Sequence, residues 1–164
     1  MSIVDQARTV ADRLQRHRIY LVLAESCTAG LVAATLARVP GISQWLCGSA
    51  VTYRESTKQQ WLDVAADDLE QFSAVSEPVA RQMAVGVLQR TAEANVAAAV
   101  TGHLGPDAPP ELDGVVFVGL ARRQPDGSID CAVSRHKLQR EQRHERQQEA
   151  AELVLGRLAD TLEP

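Results

Sequence analysis

The sequence predicts an α/β fold: a three-layer α/β/α sandwich on a mixed, mostly parallel sheet that contains one antiparallel hairpin. Three observations carry this expectation. Short apolar runs alternate with longer stretches of helical spacing. The run Leu21–Ala24 passes within a few residues into Gly30–Val39, a strand followed by a helix. Two late apolar runs flank Gln124-Pro-Asp-Gly127, which reads as a hairpin turn.

The elements follow in order. Residues 2–17 place Ile3, Val4, Ala7, Val10, Ala11 and Leu14 at helical spacing with charges between them, an amphipathic helix. Leu21–Ala24 is short enough for a buried strand, and the helix over 30–39 is closed by Pro40-Gly41. Trp45–Tyr53 reads as the next strand, with Gly48 as a bulge. Gln59–Asp63 is a short helical turn, and 65–72 is acidic, helix or turn. Val75-Ser-Glu-Pro78 opens a long helix with Ser76 at the N-cap and Pro78 in the first turn. Asn95–Val100 is a short strand that runs into the glycine-containing loop Thr101–Asp107. Gly114–Ala121 and Ile129–Ser134 form the hairpin, and 150–158 closes the chain as an amphipathic helix.

At 164 residues the chain is expected to form one domain over 1–164. The net charge of −4 argues against a general nucleic-acid or membrane-surface binder. No apolar run approaches the ~18 residues of a membrane span, and no signal pattern opens the chain, so a cytoplasmic location is expected. The three cysteines, Cys27, Cys47 and Cys131, lack C-x-x-C spacing and indicate neither a disulfide frame nor a metal site.

Chemistry concentrates between the first strand and its helix, at Glu25-Ser-Cys-Thr28. In α/β folds ligands collect at strand carboxyl ends, where free N–H groups and the helix dipole favour negative charge. Ser26 could be a nucleophile whose oxyanion forms beside those groups; by position alone the commoner role of Ser26 or Thr28 there is to cap the helix. Lys58 is either a solvated surface charge or reaches back to Ser26, where desolvation would let it accept the serine proton. Tyr53 could shuttle a proton or donate to an oxyanion, or simply pack. Gly102 and Gly105 could bring backbone N–H groups near an anion, and His103 could be a base, although a lone loop histidine is usually just solvated. The run Arg135–Arg146 is chiefly a solvated face from which one arginine could meet a phosphate.

Glu25-Ser-Cys-Thr-Ala-Gly30, Val51-Thr-Tyr-Arg-Glu-Ser-Thr-Lys58, Ala74-Val-Ser-Glu-Pro78 and Thr101-Gly-x-x-Gly-Pro-Asp107 occur in this order over nearly the whole chain. Together they resemble the C-terminal domain family of the competence/damage-inducible protein CinA, which includes stand-alone nicotinamide-nucleotide amidohydrolases. The resemblance implies hydrolysis of the carboxamide of nicotinamide mononucleotide in pyridine-nucleotide salvage, without cofactor or metal. It implies Ser26 as nucleophile, Lys58 as base and Tyr53 as assistant, with N–H groups of the Ser26–Gly30 turn holding the oxyanion. Thr28, Gly30, Thr101, Gly102, Gly105 and Arg143 would bind the substrate, with Arg140 a competitor of Arg143 for its phosphate. A homodimer or higher assembly is also implied. The rival nucleophile Cys27 is set aside because adjacent residues usually point different ways. Several positions depart from the family pattern: Ala29 stands for a glycine, His103-Leu104 for a small apolar pair, and Ala108-Pro109 for two glycines. The family's Gly-Asp-Arg before the last helix is met by Glu141-Gln-Arg143, and the altered loops 103–109 and 139–143 support an alternative expectation, a catalytically silent paralogue that binds a nucleotide or a partner protein.

Overall fold

The computed structural model describes residues 1–163. A five-stranded sheet in the order β2-β1-β3-β4-β5 lies at its centre. The strands are β1 (Leu21–Glu25), β2 (Leu46–Val51), β3 (Val96–Gly102), β4 (Val115–Arg123) and β5 (Ile129–Lys137). β1 pairs in parallel with both β2 and β3, whereas β4 runs antiparallel to β3 and to β5. Only β4 therefore opposes the common strand direction, and the mixed sheet with its β4–β5 hairpin agrees with the sequence expectation.

Among the described residues six α-helices cover the two faces: α1 (Ile3–His17), α2 (Leu31–Leu36), α3 (Glu55–Leu62), α4 (Ala66–Phe72), α5 (Glu77–Gln89) and α6 (Arg143–Thr161). On one face Val10, Leu14, Val32, Leu36, Val154 and Leu158 pack with Leu23, Ala98 and Val100; on the other Leu62, Leu69, Val79 and Met83 pack with Val22, Ala24, Ala97 and Ala99. Even and odd positions of β1 and β3 thus face different helices, as a pleated strand requires. The five residues of β1 are all buried, which explains its continuous apolar run.

Several boundaries differ from the sequence reading. The helix expected over 30–39 keeps regular geometry only from Leu31 to Leu36 and then relaxes into turns before Gly41, which stands at φ +86°. The turn expected at 59–63 is the end of a longer helix, because α3 begins at Glu55. Ser76 does occupy the N-cap position of α5, but its hydroxyl donates back to the Ser73 carbonyl at 2.9 Å and does not cap the helix through its side chain. The last helix begins at Arg143, seven residues ahead of the apolar stretch that marked it, since its first two turns are polar and face the loops.

The crossover from β1 to β2 runs through α2 on one face, and that from β2 to β3 runs through α3, α4 and α5 on the other. The carboxyl end of β1 is therefore a point where the connections diverge, the place in an open α/β sheet where a crevice forms.

Candidate active site

The turn after β1 is organised by a carboxylate. Glu25 is fully buried, and its Oε2 accepts from the Thr28 hydroxyl at 2.7 Å and the Gly30 and Val32 N–H groups at 3.0 and 3.1 Å. Its Oε1 accepts from the Ala33 N–H and the Ser49 hydroxyl, both at 3.0 Å. The open N–H groups at the start of α2 are thus satisfied by a side chain from the preceding strand. Thr28 and Gly30, expected to touch substrate, instead belong to this network and stand outside the cavity. The turn also bonds itself, Ala29 N–H to the Ser26 carbonyl and Leu31 N–H to the Thr28 carbonyl. Among the described residues, only the Cys27 and Thr28 N–H groups of the turn have no protein acceptor.

Ser26 follows Glu25 and so turns to the opposite face, toward α3. There Lys58 meets it: Nζ lies 2.8 Å from Ser26 Oγ and 2.7 Å from the Thr52 carbonyl oxygen. Lys58 and Leu62 form the buried stripe of α3 at i and i+4, which turns an otherwise polar helix inward. Lys58 is 1% exposed, and burial drives its pKa from 10.5 down to about 8, opposed in part by the Cys27 thiol and the Glu55 carboxylate. As a neutral amine it would donate to Thr52 and offer its lone pair to the serine proton. Cys27 points the other way, into the core beneath α2 and α6, where burial pushes its thiol up to about 12. A thiol so far from ionisation is an inert neighbour of the serine.

Around this pair lies a cavity of about 450 Å³. Of the residues anticipated from the sequence, Ser26, Tyr53, Lys58, Thr101, Gly102, Gly105 and Arg143 all line it. The exposed ring of Tyr53 stands at the mouth, and its hydroxyl accepts from Arg143 Nη2 at 2.8 Å. Arg143 Nη1 donates to the Gly105 carbonyl at 2.6 Å, so this side chain bridges the two rims. Arg140 is engaged elsewhere, by Glu152 at 2.9 Å and by the Glu145 carbonyl, which leaves Arg143 as the arginine of the cavity. Thr101 is buried, and its hydroxyl donates to the Ala74 carbonyl at 2.8 Å, tying the end of β3 to the approach of α5.

The CinA C-terminal domain family matches residues 4–162. The chain belongs to that family. It is similar to a CinA-like protein of Chlorobium limicola, at 41% identity over 74% of this chain and 28% of the relative. It is also similar to a CinA-like protein of a Mycobacterium species, at 42% over 78% and 29%. The chain thus spans less than a third of the length of these curated relatives. Among solved structures, competence damage-inducible protein A from Klebsiella pneumoniae superimposes with a TM-score of 0.90 at 27% identity, over 99% of this chain and 98% of that one. Competence/damage inducible protein CihA from Agrobacterium tumefaciens does so with a TM-score of 0.85 at 32% identity, over 98% and 94%.

Within this CinA domain the sequence reading missed two supports. The first is Glu25: a carboxylate ahead of a glycine and a helix start is the signal for capping that marks it. The second is Arg146. Its guanidinium grips Asp113 through Nη1 at 2.8 Å and Nη2 at 3.2 Å, while Nε donates to the Arg140 carbonyl and Nη1 also reaches the Leu104 carbonyl. Gly105 and Gly114, both at positive φ, leave room for it: a Cβ on either would lie 3.0–3.2 Å from Arg146 atoms. Arg146 therefore fastens the loop between β3 and β4 to the first turns of α6, where Arg143 begins. The i, i+3 spacing of Arg143 and Arg146 was the available clue.

The departures from the family pattern fall differently. Ala29 takes φ +50°, a left-handed conformation that suits glycine, but it is exposed and outside the cavity. Leu104 is buried in the core on the α6 side and also lines the cavity. His103 and Ala108 line the cavity.

Proposed function

We propose that this CinA domain is an amidohydrolase that removes ammonia from the carboxamide of nicotinamide mononucleotide, leaving nicotinic acid mononucleotide. The observation that carries the reading is the buried Lys58 amine held 2.8 Å from the Ser26 hydroxyl, with its pKa lowered to about 8. A serine alone is too weak a nucleophile for an amide, and a neutral, desolvated lysine is a competent base.

In the proposed sequence, Lys58 takes the Ser26 proton as Oγ attacks the amide carbon. Negative charge then develops on the former carbonyl oxygen, and the Cys27 N–H, which has no protein acceptor and belongs to a residue lining the cavity, is its candidate donor. The tetrahedral species collapses as the C–N bond breaks, and the Lys58 ammonium gives the departing nitrogen, directly or relayed through the Tyr53 hydroxyl, the proton that makes it ammonia, which returns Lys58 to the neutral amine. Water, deprotonated by Lys58, then cleaves the ester on Ser26 and releases the acid. Arg143 supplies the positive charge at the mouth for a phosphate, and a cavity of about 450 Å³ suits a ligand of mononucleotide size.

The competing reading, a silent paralogue that binds a nucleotide, draws on the altered residue His103 in the cavity wall. Ammonia release from nicotinamide mononucleotide by wild type and Ser26→Ala separates the two. Turnover that vanishes in the variant is expected; equal rates in both proteins, or binding without turnover, would overturn the deamidase reading.

A further inference from the structure

His103 is a histidine whose position is fixed but whose ring is unassigned. The chain stays extended past the end of β3, because the His103 N–H donates to the Val115 carbonyl at 3.0 Å and its own carbonyl accepts from the Gly114 N–H at 2.9 Å. The residue is thus held on both sides by β4 and the loop that Arg146 fastens. Its half-buried ring lines the cavity, and among the described residues neither ring nitrogen has a protein partner.

Register gives the direction. Glu25 pairs with Val100, so Ser26 is level with Thr101, and paired positions of parallel strands face the same side. His103, two residues beyond Thr101, shares that face and stands roughly 7 Å farther toward the mouth. A group attached to Ser26 through its amide carbon reaches this level only after an aromatic ring has been traversed. In an N-ribosylated pyridine carboxamide, that level belongs to the sugar. Burial lowers the pKa of His103, with Asp113 opposing, so at neutral pH the ring offers one N–H donor and one bare nitrogen. Such a pair matches hydroxyl groups better than it matches a phosphate, for which Arg143 is already present.

We propose that His103 is a specificity residue that hydrogen-bonds the ribose hydroxyls of the substrate, so that this domain selects ribosylated amides bearing an intact cis-diol. This rests on the deamidase reading and names what the distal half of the same cavity recognises.

The test compares kcat/KM for nicotinamide mononucleotide with that for its 2′-deoxy and 3′-deoxy analogues, in wild type, His103→Leu, His103→Ala and His103→Gln. Wild type is expected to disfavour at least one analogue by about tenfold, the worth of one or two unmade hydrogen bonds. Loss of the ring in His103→Leu or His103→Ala should bring the ratio within about twofold of unity; either variant decides if the other does not fold. His103→Gln, which keeps a donor and an acceptor, should restore part of the preference. Ammonia release without discrimination in wild type, or an unchanged ratio in the Leu or Ala variant, would overturn the ribose assignment alone. No ammonia from any of the three compounds would overturn the deamidase reading and this inference with it.

Discussion

At the residue scale, the decisive contrast is between three neighbours that sequence order cannot separate. Glu25, Ser26 and Cys27 are consecutive, yet the carboxylate caps α2, the hydroxyl meets Lys58 and the thiol enters the core. Alternation at the end of a strand assigns them to different faces, and only the middle one reaches a base. Whether Lys58 was a surface charge or a buried base was not legible locally, because α3 has few apolar residues to mark an inner face. Its burial depends on packing with Leu62 against the sheet. The proposed base sets a pH dependence. Only neutral Lys58 accepts the serine proton, so kcat/KM for nicotinamide mononucleotide should rise with pH through about 8 and level off above it. A profile flat from pH 6 to 10 would remove Lys58 from that role.

At the element scale, the β1–α2 turn holds two opposite influences. Glu25 stabilises it with four hydrogen bonds to the turn and the start of α2, whereas Ala29 strains it by adopting φ +50°. An L-residue with a Cβ in the left-handed region costs about 1 kcal/mol. Ala29→Gly should therefore raise the unfolding free energy by up to about that amount, measured by urea titration, the flexibility of glycine in the unfolded chain offsetting part of the gain. Because Ala29 lies outside the cavity, deamidase activity should not change with it. The alanine-for-glycine departure at Ala29 was legible in the sequence, but its location relative to the pocket was not. Helix boundaries were likewise blurred wherever polar first turns carry no hydrophobic mark, as in α3 and α6. Strand order was legible only in outline: periodicity showed the β4–β5 hairpin, whereas the antiparallel β3–β4 pairing spans a loop too long for a turn signature.

At the scale of the whole molecule, a buried cation opposes folding. Lys58 is protonated in both folded and unfolded chains below pH 8, and there the full penalty applies. Between about 8 and 10.5 the unfolded chain binds the extra proton, so stability rises with pH across this window. The buried Cys27 thiol acts in the reverse sense: its folded pKa of about 12 exceeds the ordinary 9.0, so stability falls above pH 9 on its account. Below pH 9 the cysteine is un-ionised in both states, so comparing wild type with Lys58→Met there isolates the lysine. The methionine variant is expected to be inactive yet more stable at pH 7, by up to about 3 kcal/mol, with the difference shrinking toward pH 10. A variant less stable than wild type at pH 7 would mean that the hydrogen bonds to Ser26 and Thr52 outweigh desolvation.

The fastening of the β3–β4 loop by Arg146 divides the pocket into two separately anchored halves. The reacting pair hangs on β1 and α3, whereas His103, Gly105 and Ala108 ride on a segment anchored to α6 through Asp113. A substitution in the wall between the two anchor points therefore changes what faces the serine while leaving in place the groups that hold Ser26 and Lys58 together.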